Sequence, residues 1–486
     1  MGSDIKKEAL SGMIWSGVQK YSKMIIQFIS GIVLARLLTP YDYGCIGMLS
    51  IFMVLANSII DGGFGSALIQ KKNPTQEDYS TIFYWNLIIS VVMYVALYIA
   101  APSIAGFYNI EVLSDVLRVQ AVVLIINAFT LVQSNQLRKH LNFKLISIVT
   151  VLTSIVSLIV TIVMAYKGFG VWSLVTQNIL VSLIPAVIYW FYVRWRPIWI
   201  FSWKSFKELF SFGFYMFLTH LLNNFSGQVQ GLLIGKFYNP ATMGYYSKAR
   251  STEMMAATSI SSVITQVTYP LYAKLQDNIN SLMILIRKLS MVISYLTLPL
   301  MIILVMTAKP IFLLLYTEKW LPCVPYFQIL CFAGMANCLI AVTSQTISAI
   351  GKSKVMFICT LVKRLVGLGA IIGGMVLFGI KGLLAGVLIN TYFAYFVTVF
   401  LVSKYIGYKW YRQLLDLAPG AVVAIVSAAI SYFVIGSLNL QIYVDAVLKS
   451  VMFVTLYIAI SRIFKLEAYS MVYSIIPQKF RFWEKK

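Results

Sequence analysis

The sequence predicts an all-α polytopic membrane protein with about 14 transmembrane helices. Of its residues, 60% are hydrophobic and only 11% are charged, and the mean hydropathy is +0.83. Ordinary soluble proteins lie far from these values. Apolar runs of about 20 residues, long enough to cross a hydrocarbon core of about 30 Å, recur from residue 13 to residue 463. In addition, residues 34–44 have a second copy at 234–244, which predicts two similarly built halves.

The two copies align without a gap. Each has a cation, a proline four positions later and a glycine four positions after that, and each ends an apolar segment. The cations are Arg36 and Lys236, which we predict to lie at the outer ends of their helices, where they either anchor the turn or serve as outer-gate residues. Because each repeat unit is predicted to have six spans, an even number, both units enter the membrane in the same direction. The repeat is therefore expected to be parallel, about an axis along the membrane normal.

The apolar runs divide the chain into three parts. Predicted helices of an amino-terminal lobe, residues 1–202, lie at about 13–37, 44–66, 81–105, 112–134, 145–166 and 171–193. After a basic connection, those of a second lobe, residues 203–410, lie at about 209–236, 243–270, 289–316, 324–350, 354–378 and 380–402. Two additional helices at about 417–436 and 442–463 and a basic tail occupy residues 411–486. The two lobes are expected to enclose a central cavity.

The distribution of cations predicts the orientation. With 14 spans and an inside amino terminus, 25 of the 39 lysines and arginines fall in the termini and the inner connections, against seven in the outer turns. This is the bias expected of cytoplasmic loops. It predicts cytoplasmic termini and accounts for most of the net charge of +23 without a nucleic-acid partner.

Two predicted helices carry a polar stripe. On the first helix it comprises Ser16, Lys20, Lys23, Gln27 and Ser30, which fall within about 80° of one another at 100° per residue. On the seventh helix, 200 positions later, it comprises His220, Asn223, Asn224, Gly227 and Gln230. Polar side chains inside a membrane usually face a bundle interior or an aqueous cavity, which predicts that both stripes line the cavity. Alternatively, the two lysines reach the inner interface along their aliphatic stems.

Other ionisable residues lie within predicted spans. Lys363 and Arg364 lie some ten residues into the eleventh helix and are the strongest candidates for cavity cations. Arg250 and Glu253 are three residues apart, so they either form a packing ion pair or contribute to the cavity. Asp61 is a candidate proton or cation site, as is Glu253, although an acid in this position often forms only local contacts.

Small residues and a late lysine allow further predictions. Two small-xxx-small patterns, Gly369 with Gly373 and Gly382 with Gly386, predict close helix packing. In the last helix, Lys449 either packs or holds an anionic lipid head group.

The sequence offers no catalytic or metal site. Residues 351–353 resemble the end of a phosphate-binding loop, but Thr346 stands where its first glycine is required. The only two histidines, His140 and His220, lie on separate segments, and the five cysteines lack metal-ligand spacing. We therefore expect no enzyme activity, no metal and no cofactor. The mostly cationic spans favour an anionic substrate.

Several short motifs lie apart along the chain: LARLLTP at 34–40, ALIQ at 67–70, NFK at 142–144, GFGVWSLV at 168–175, KLQD at 274–277 and EKWLP at 318–322. Together they resemble bacterial lipopolysaccharide and capsule flippases of the Wzx type. The resemblance extends from about residue 8 to 410. These flippases belong to the superfamily of multidrug, oligosaccharidyl-lipid and polysaccharide exporters. The resemblance implies two six-helix lobes around a central cavity, often with two added helices, and alternation between inward-open and outward-open states.

The resemblance also implies a substrate and its surroundings. The substrate is an undecaprenyl diphosphate-linked oligosaccharide, moved from the cytoplasmic to the outer leaflet of the bacterial inner membrane, with coupling to a proton or sodium gradient. Cavity cations would neutralise the diphosphate while the polyprenyl tail stays in lipid. Expected partners are membrane lipid, a polysaccharide polymerase and assembly proteins.

Two other functions remain open from the residues alone. One is a multidrug exporter that works by cation antiport, which the cationic spans suit poorly. The other is a membrane glycan polymerase, which would be expected to carry acids or arginines on a sizeable outer loop; the predicted outer turns are short.

Overall fold

The computed structural model describes residues 2–275, 278–350 and 352–475, and within these ranges it contains helices but no strand. The end of the predicted basic tail lies outside the described residues. The helices are α1 (Gly2–Leu37), α2 (Pro40–Asp61), α3 (Phe64–Gln70), α4 (Gln76–Tyr108), α5 (Val112–Gln120), α6 (Val122–Lys139), α7 (Phe143–Tyr166), α8 (Val171–Tyr192), α9 (Trp203–Phe237), α10 (Pro240–Lys274), α11 (Ile279–Met306), α12 (Ala308–Tyr316), α13 (Cys323–Ala349), α14 (Ser353–Ile406), α15 (Trp410–Gly436), α16 (Ile442–Ile463) and α17 (Glu467–Ile475).

The predicted fold class is confirmed. Ten stretches of the described chain are long and apolar enough to cross a membrane. One of these, in α14, is two helices, because Phe378 and Gly379 leave the helical conformation there; Gly379 has φ 61° and ψ −143°. The long helices α1, α9 and α10 are more polar than these ten, and counting them as spans gives the predicted 14.

The doubled turn begins a helix in both copies. In the first copy, the Thr39 hydroxyl accepts from the backbone N–H of Asp42, whose carboxylate accepts from the Thr39 N–H at 2.8 Å. In the second, Asn239 Oδ1 accepts from the backbone N–H of Thr242 at 2.8 Å. A capping residue followed by proline at the first helical position is a strong helix start. The shared pattern of the repeat thus encodes the starts of α2 and α10.

The chain forms two compact units, Met1–Ser247 and Lys248–Lys486. The division falls within α10, whereas the lobes predicted from the repeat divide after residue 202. In the first unit α9 packs along α2 and α3. The lobe boundary stays a prediction, because it rests on the repeat and not on compactness.

In the first unit, α9 runs antiparallel to α2. The Ser50 hydroxyl donates to Gln228 Oε1 at 3.1 Å, and Asn224 Nδ2 donates to the Ser58 hydroxyl at 2.8 Å. Further along, a Cβ on Gly63 would lie 2.2 Å from the Gly213 carbonyl oxygen. Small residues and short polar side chains therefore allow close helix approach, as is common between membrane helices.

In the second unit, the two halves of α14 form a close hairpin. A Cβ on Gly382 would lie 1.9 Å from the Gly374 carbonyl oxygen, and one on Gly386 would lie 2.4 Å from that of Ala370. The predicted packing role of Gly382 and Gly386 agrees with these contacts. The prediction for Gly369 and Gly373 was wrong: a Cβ on either meets nothing within 4 Å. The spacing of small residues does not reveal which helix face a partner will cover.

One ionic network ties three helices of the second unit together. Arg287 on α11 donates to both carboxylate oxygens of Asp416 on α15, at 2.9 and 3.2 Å, and to those of Glu467 on α17, at 2.6 and 3.2 Å. Asp416 also accepts from the Tyr408 hydroxyl. A bidentate arginine shared by two carboxylates is strong and geometrically specific.

We expect Asp416→Asn to lower the free energy of unfolding by about 1.5 kcal/mol, because it removes a charge-assisted pair from a partly buried arginine. Thermal unfolding of the purified protein in detergent measures the change. Asp115→Asn is the matched control. Asp115 is 69% exposed, and its Oδ1 lies 3.7 Å from Arg118 Nη1. Ion pairs on the surface contribute little to stability. Equal stability of the two variants would contradict the role of the Arg287 network.

Candidate functional site

The two copies of the doubled turn pack against each other reciprocally. A Cβ on Gly44 would lie 1.8 Å from the carbonyl oxygen of Pro240, and one on Gly244 would lie 1.9 Å from that of Pro40. A methyl group cannot occupy either place. Each glycine thus admits the backbone of the other copy, and the starts of α2 and α10 meet in a self-complementary contact.

The two repeat cations flank this contact. Arg36 is exposed in the last turn of α1. Lys236 is exposed in the last turn of α9, where its Nζ donates to the Phe107 carbonyl at 2.6 Å and lies 4.1 Å from the centroid of the Phe107 ring. This hydrogen bond links the ends of α9 and α4. The position also suits a cation, because positive charge is favourable at the carboxyl end of a helix.

The two predicted polar stripes have different surroundings. On α1, Lys20 is half-buried, whereas Lys23 and Gln27 are exposed. On α9, His220 is exposed and Asn223 is half-buried. Asn224 and Gln230 have partners on other helices, Ser58 on α2 and Tyr246 on α10. Much of the α9 stripe therefore serves helix packing, and His220 is its most accessible member.

His220 acts electrostatically on Asp61, another predicted site residue. Asp61 ends α2, and the backbone of Gly63 and Gly65 favours the charged form of its carboxylate. The charges of His220 on α9 and Arg138 on α6 both act on this carboxylate. Asp61 thus interacts with its own chain segment, as an acid in this position often does, and also electrostatically with two other helices.

The sequence analysis missed the neighbours of Asp61. A Cβ on Gly65 would lie 3.1 Å from Asp61 Oδ1 and 3.3 Å from Asn135 Nδ2, which places the buried Asn135 beside the carboxylate. One turn earlier on α2, Asn57 Oδ1 accepts from Asn127 Nδ2 at 3.2 Å. The four-residue spacing of Asn57 and Asp61 puts them on one helix face, and this signal was available in the sequence.

A lysine between α3 and α4 contacts the start of α9. Lys71, between α3 and α4, lies 3.0 Å from Asp78 Oδ2 and 3.1 Å from Glu208 Oε2 on α9. Burial alone lowers the pKa of Lys71, but its hydrogen bonds to the two carboxylates outweigh this and raise the pKa above its usual value. Lys71 therefore stays charged and joins α9 to the start of α4.

In the second unit, a buried lysine lies against two aromatic rings. Lys248 is 4% exposed, and its Nζ is 4.1 Å from the Tyr316 ring centroid and 5.7 Å from that of Trp320. Trp320 belongs to the EKWLP motif and is fully buried. Cation–π contacts gain strength when they are desolvated. The motif tryptophan therefore has a structural role in holding Lys248.

The predicted neighbours Arg250 and Glu253 do interact. Glu253 is buried, the charge of Arg250 acts on its carboxylate, and a Cβ on Gly334 would lie 2.4 Å from Glu253 Oε1. Gly334 on α13 thus leaves the space that the carboxylate occupies. This arrangement fits helix packing and a coupling role equally well.

Lys363 and Arg364 lie in the first half of α14. Lys363 is buried, Arg364 is half-buried, and the Cys359 side chain lies within electrostatic range of Lys363 one turn earlier. Among the side chains that the structure describes within residues 2–275, 278–350 and 352–475, no acidic one forms an ion pair with Lys363. A buried cation without a counter-charge favours an anion.

In the same ranges, no three metal-ligating side chains are grouped.

The chain matches known proteins over most of its length. Residues 33–325 match the family model described as polysaccharide biosynthesis protein. The teichuronic acid biosynthesis protein TuaB of Bacillus subtilis is 26% identical over 73% of this chain and 74% of its own length. The lipopolysaccharide biosynthesis protein WzxC of Escherichia coli is 21% identical over 88% of each. The lipid II flippase MurJ in an inward closed conformation has a TM-score of 0.75, with 14% identity over 93% of this chain and 100% of that one.

The family match covers more than half of the chain, and the MurJ likeness shows the fold. Both agree with the motif resemblance described above. The chain therefore belongs to the polysaccharide biosynthesis protein family, and it is similar to the lipopolysaccharide biosynthesis protein WzxC.

Proposed function

We propose that this protein is a flippase that moves an undecaprenyl diphosphate-linked oligosaccharide across the bacterial inner membrane. The observation that carries the proposal is the buried Lys363, with Arg364 beside it, in a membrane-spanning helix of a polysaccharide biosynthesis protein. A diphosphate supplies the negative charge that Lys363 lacks in the described chain. The relatives named for teichuronic acid and lipopolysaccharide biosynthesis support a glycan as the cargo.

The chemistry divides the substrate between two environments. Arginine and lysine neutralise phosphate oxygens through charge-assisted hydrogen bonds, which gain strength in a medium of low dielectric constant. The polyprenyl tail stays in the bilayer, because exposing it to water would cost about 0.8 kcal/mol per methylene group. The protein therefore has to shield only the diphosphate and the sugars during translocation.

Alternating access requires an energy source and a direction. We propose coupling to a proton or sodium gradient, with Asp61 and Glu253 as candidate coupling groups and Arg36 and Lys236 as candidate outer-gate residues. Polar stripe residues Lys20, Lys23, Gln27, His220, Asn223 and Asn224, with Arg250, are further candidate substrate contacts. The bias of cations toward the termini and inner connections supports cytoplasmic termini. A polymerase and other assembly proteins would receive the product.

Transport by purified protein in proteoliposomes tests the proposal. We expect a fluorescent undecaprenyl diphosphate-linked oligosaccharide to become accessible in the opposite leaflet faster than in protein-free vesicles, and faster still under a proton or sodium gradient. The same vesicles are tested for export of cationic drugs and for elongation of the glycan. No flipping under any gradient would overturn the proposal, and drug export or chain elongation in its place would favour the multidrug or polymerase alternative.

A further inference from the structure

An apolar groove of 720 Å³ lies within the second unit, between the two ends of the α14 hairpin and the start of α15. Its walls include Val355 and Cys359 from the first half of α14, Phe396 and Phe400 from the second half, and Trp410 from α15. Phe396, Phe400 and Trp410 are each half or more exposed. Because these segments are apolar enough to span the membrane, we expect the groove to face lipid.

Among the described residues that line this groove, one is a cation. Lys404 is exposed in the last turn of α14 and lines the groove, and its Nζ lies 5.7 Å from the Tyr405 ring centroid. In the described part of the chain, no carboxylate pairs with it. Lys404, Tyr405 and Trp410 lie where a span ends, and tyrosine and tryptophan favour the membrane interface.

We propose that this groove is a binding site for an anionic phospholipid, with one acyl chain along the apolar walls and the phosphate on Lys404. The charge of Lys404 attracts the negative charge of a phosphodiester. A diphosphate carries more charge, and the paired cations Lys363 and Arg364 suit it better. The site therefore differs from the proposed substrate site and does not depend on the proposed function.

Cys359 in the groove wall allows a direct test. It is half-buried, whereas the other four cysteines, Cys45, Cys323, Cys331 and Cys338, are buried. A membrane-permeant maleimide should therefore alkylate Cys359 first, and a bound acyl chain should shield it. Cys359→Ser shows how much of the labelling reports this position.

The experiment compares the full-length protein in vesicles of phosphatidylcholine alone with the protein in vesicles that also contain phosphatidylglycerol. We expect phosphatidylglycerol to slow the alkylation of Cys359 about fivefold, since one lysine near a membrane surface contributes about 1 kcal/mol toward an anionic lipid. In Lys404→Ala this protection should disappear. The alkylation rate of this variant in phosphatidylcholine alone should equal that of the natural protein, which would show that the variant is folded. Lys409→Ala is the matched control and should keep the protection, because Lys409 lies outside the groove lining.

Other outcomes would overturn the site or its occupant. Equal alkylation in both vesicles would exclude an anionic phospholipid, as would unchanged protection in Lys404→Ala. Protection by undecaprenyl diphosphate at a far lower mole fraction than phosphatidylglycerol would assign the groove to the isoprenoid substrate. As a second measurement, phosphatidylglycerol should be enriched among lipids that co-purify with the natural protein, and this enrichment should be lost in Lys404→Ala.

Discussion

Gly44→Ala is expected to lower the free energy of unfolding by about 3 kcal/mol, the upper end of the usual cost of overpacking. The new methyl group would lie 1.8 Å from the Pro240 carbonyl oxygen, and backbone cannot move aside as a flexible side chain can. Gly244→Ala should cost about as much, because its methyl group would lie 1.9 Å from the Pro40 carbonyl oxygen. Thermal unfolding in detergent measures both losses.

The chain offers a matched control for these variants. Gly369→Ala and Gly373→Ala also place alanine on a helix, but their methyl groups meet open space. Both should be neutral or slightly stabilising, because alanine favours helix by up to about 1 kcal/mol over glycine. If Gly44→Ala is as stable as Gly369→Ala, the two turns do not meet as described.

Lys363→Ala and Arg364→Ala are each expected to reduce flipping tenfold or more while expression stays intact. Loss of one charge-assisted hydrogen bond costs about 1.5 to 3 kcal/mol, and about 1.4 kcal/mol corresponds to a factor of ten. Initial rates of flipping, measured at several substrate concentrations in proteoliposomes, show whether substrate binding is the step affected. Lys363→Arg should retain more activity than Lys363→Ala because it keeps the charge.

Lys381→Ala is the control for this pair, because Lys381 lies in the second half of α14 and is exposed. Its flipping rate should match that of the natural protein. Unchanged flux in Lys363→Ala, in Arg364→Ala and in the double variant would refute the placement of the diphosphate at these cations, although the flippase function itself could stand.

The parts of the fold that could be predicted from the sequence depend on local features. Apolar runs define the spans, and a capping residue with a following proline marks the starts of α2 and α10. The break predicted between residues 378 and 380 appears at Gly379, whose positive φ suits glycine. Each of these signals is read from neighbouring residues, so one sequence is enough to find them.

The site was harder to predict because its partners lie on different helices. Periodicity puts His220 on a polar stripe, but the rotation and crossing of α9 against α2 decide that its charge acts on Asp61. Lys248 meets Tyr316 and Trp320 for the same reason, across some 70 residues of chain. Helix rotation depends on the summed packing of whole faces, and no short motif records it.

The meeting of the two turns explains which part of the repeat can vary. Between proline and glycine, 41–43 and 241–243 have no residue in common, yet both spacers have the same length. One inserted residue in either spacer would rotate its glycine by about 100° around the helix. The contact of that glycine with the opposite carbonyl would be lost, and the opposite glycine would lose its matched surface. The contact therefore constrains the number of residues in both spacers together, whereas it leaves the chemistry of those residues free to differ.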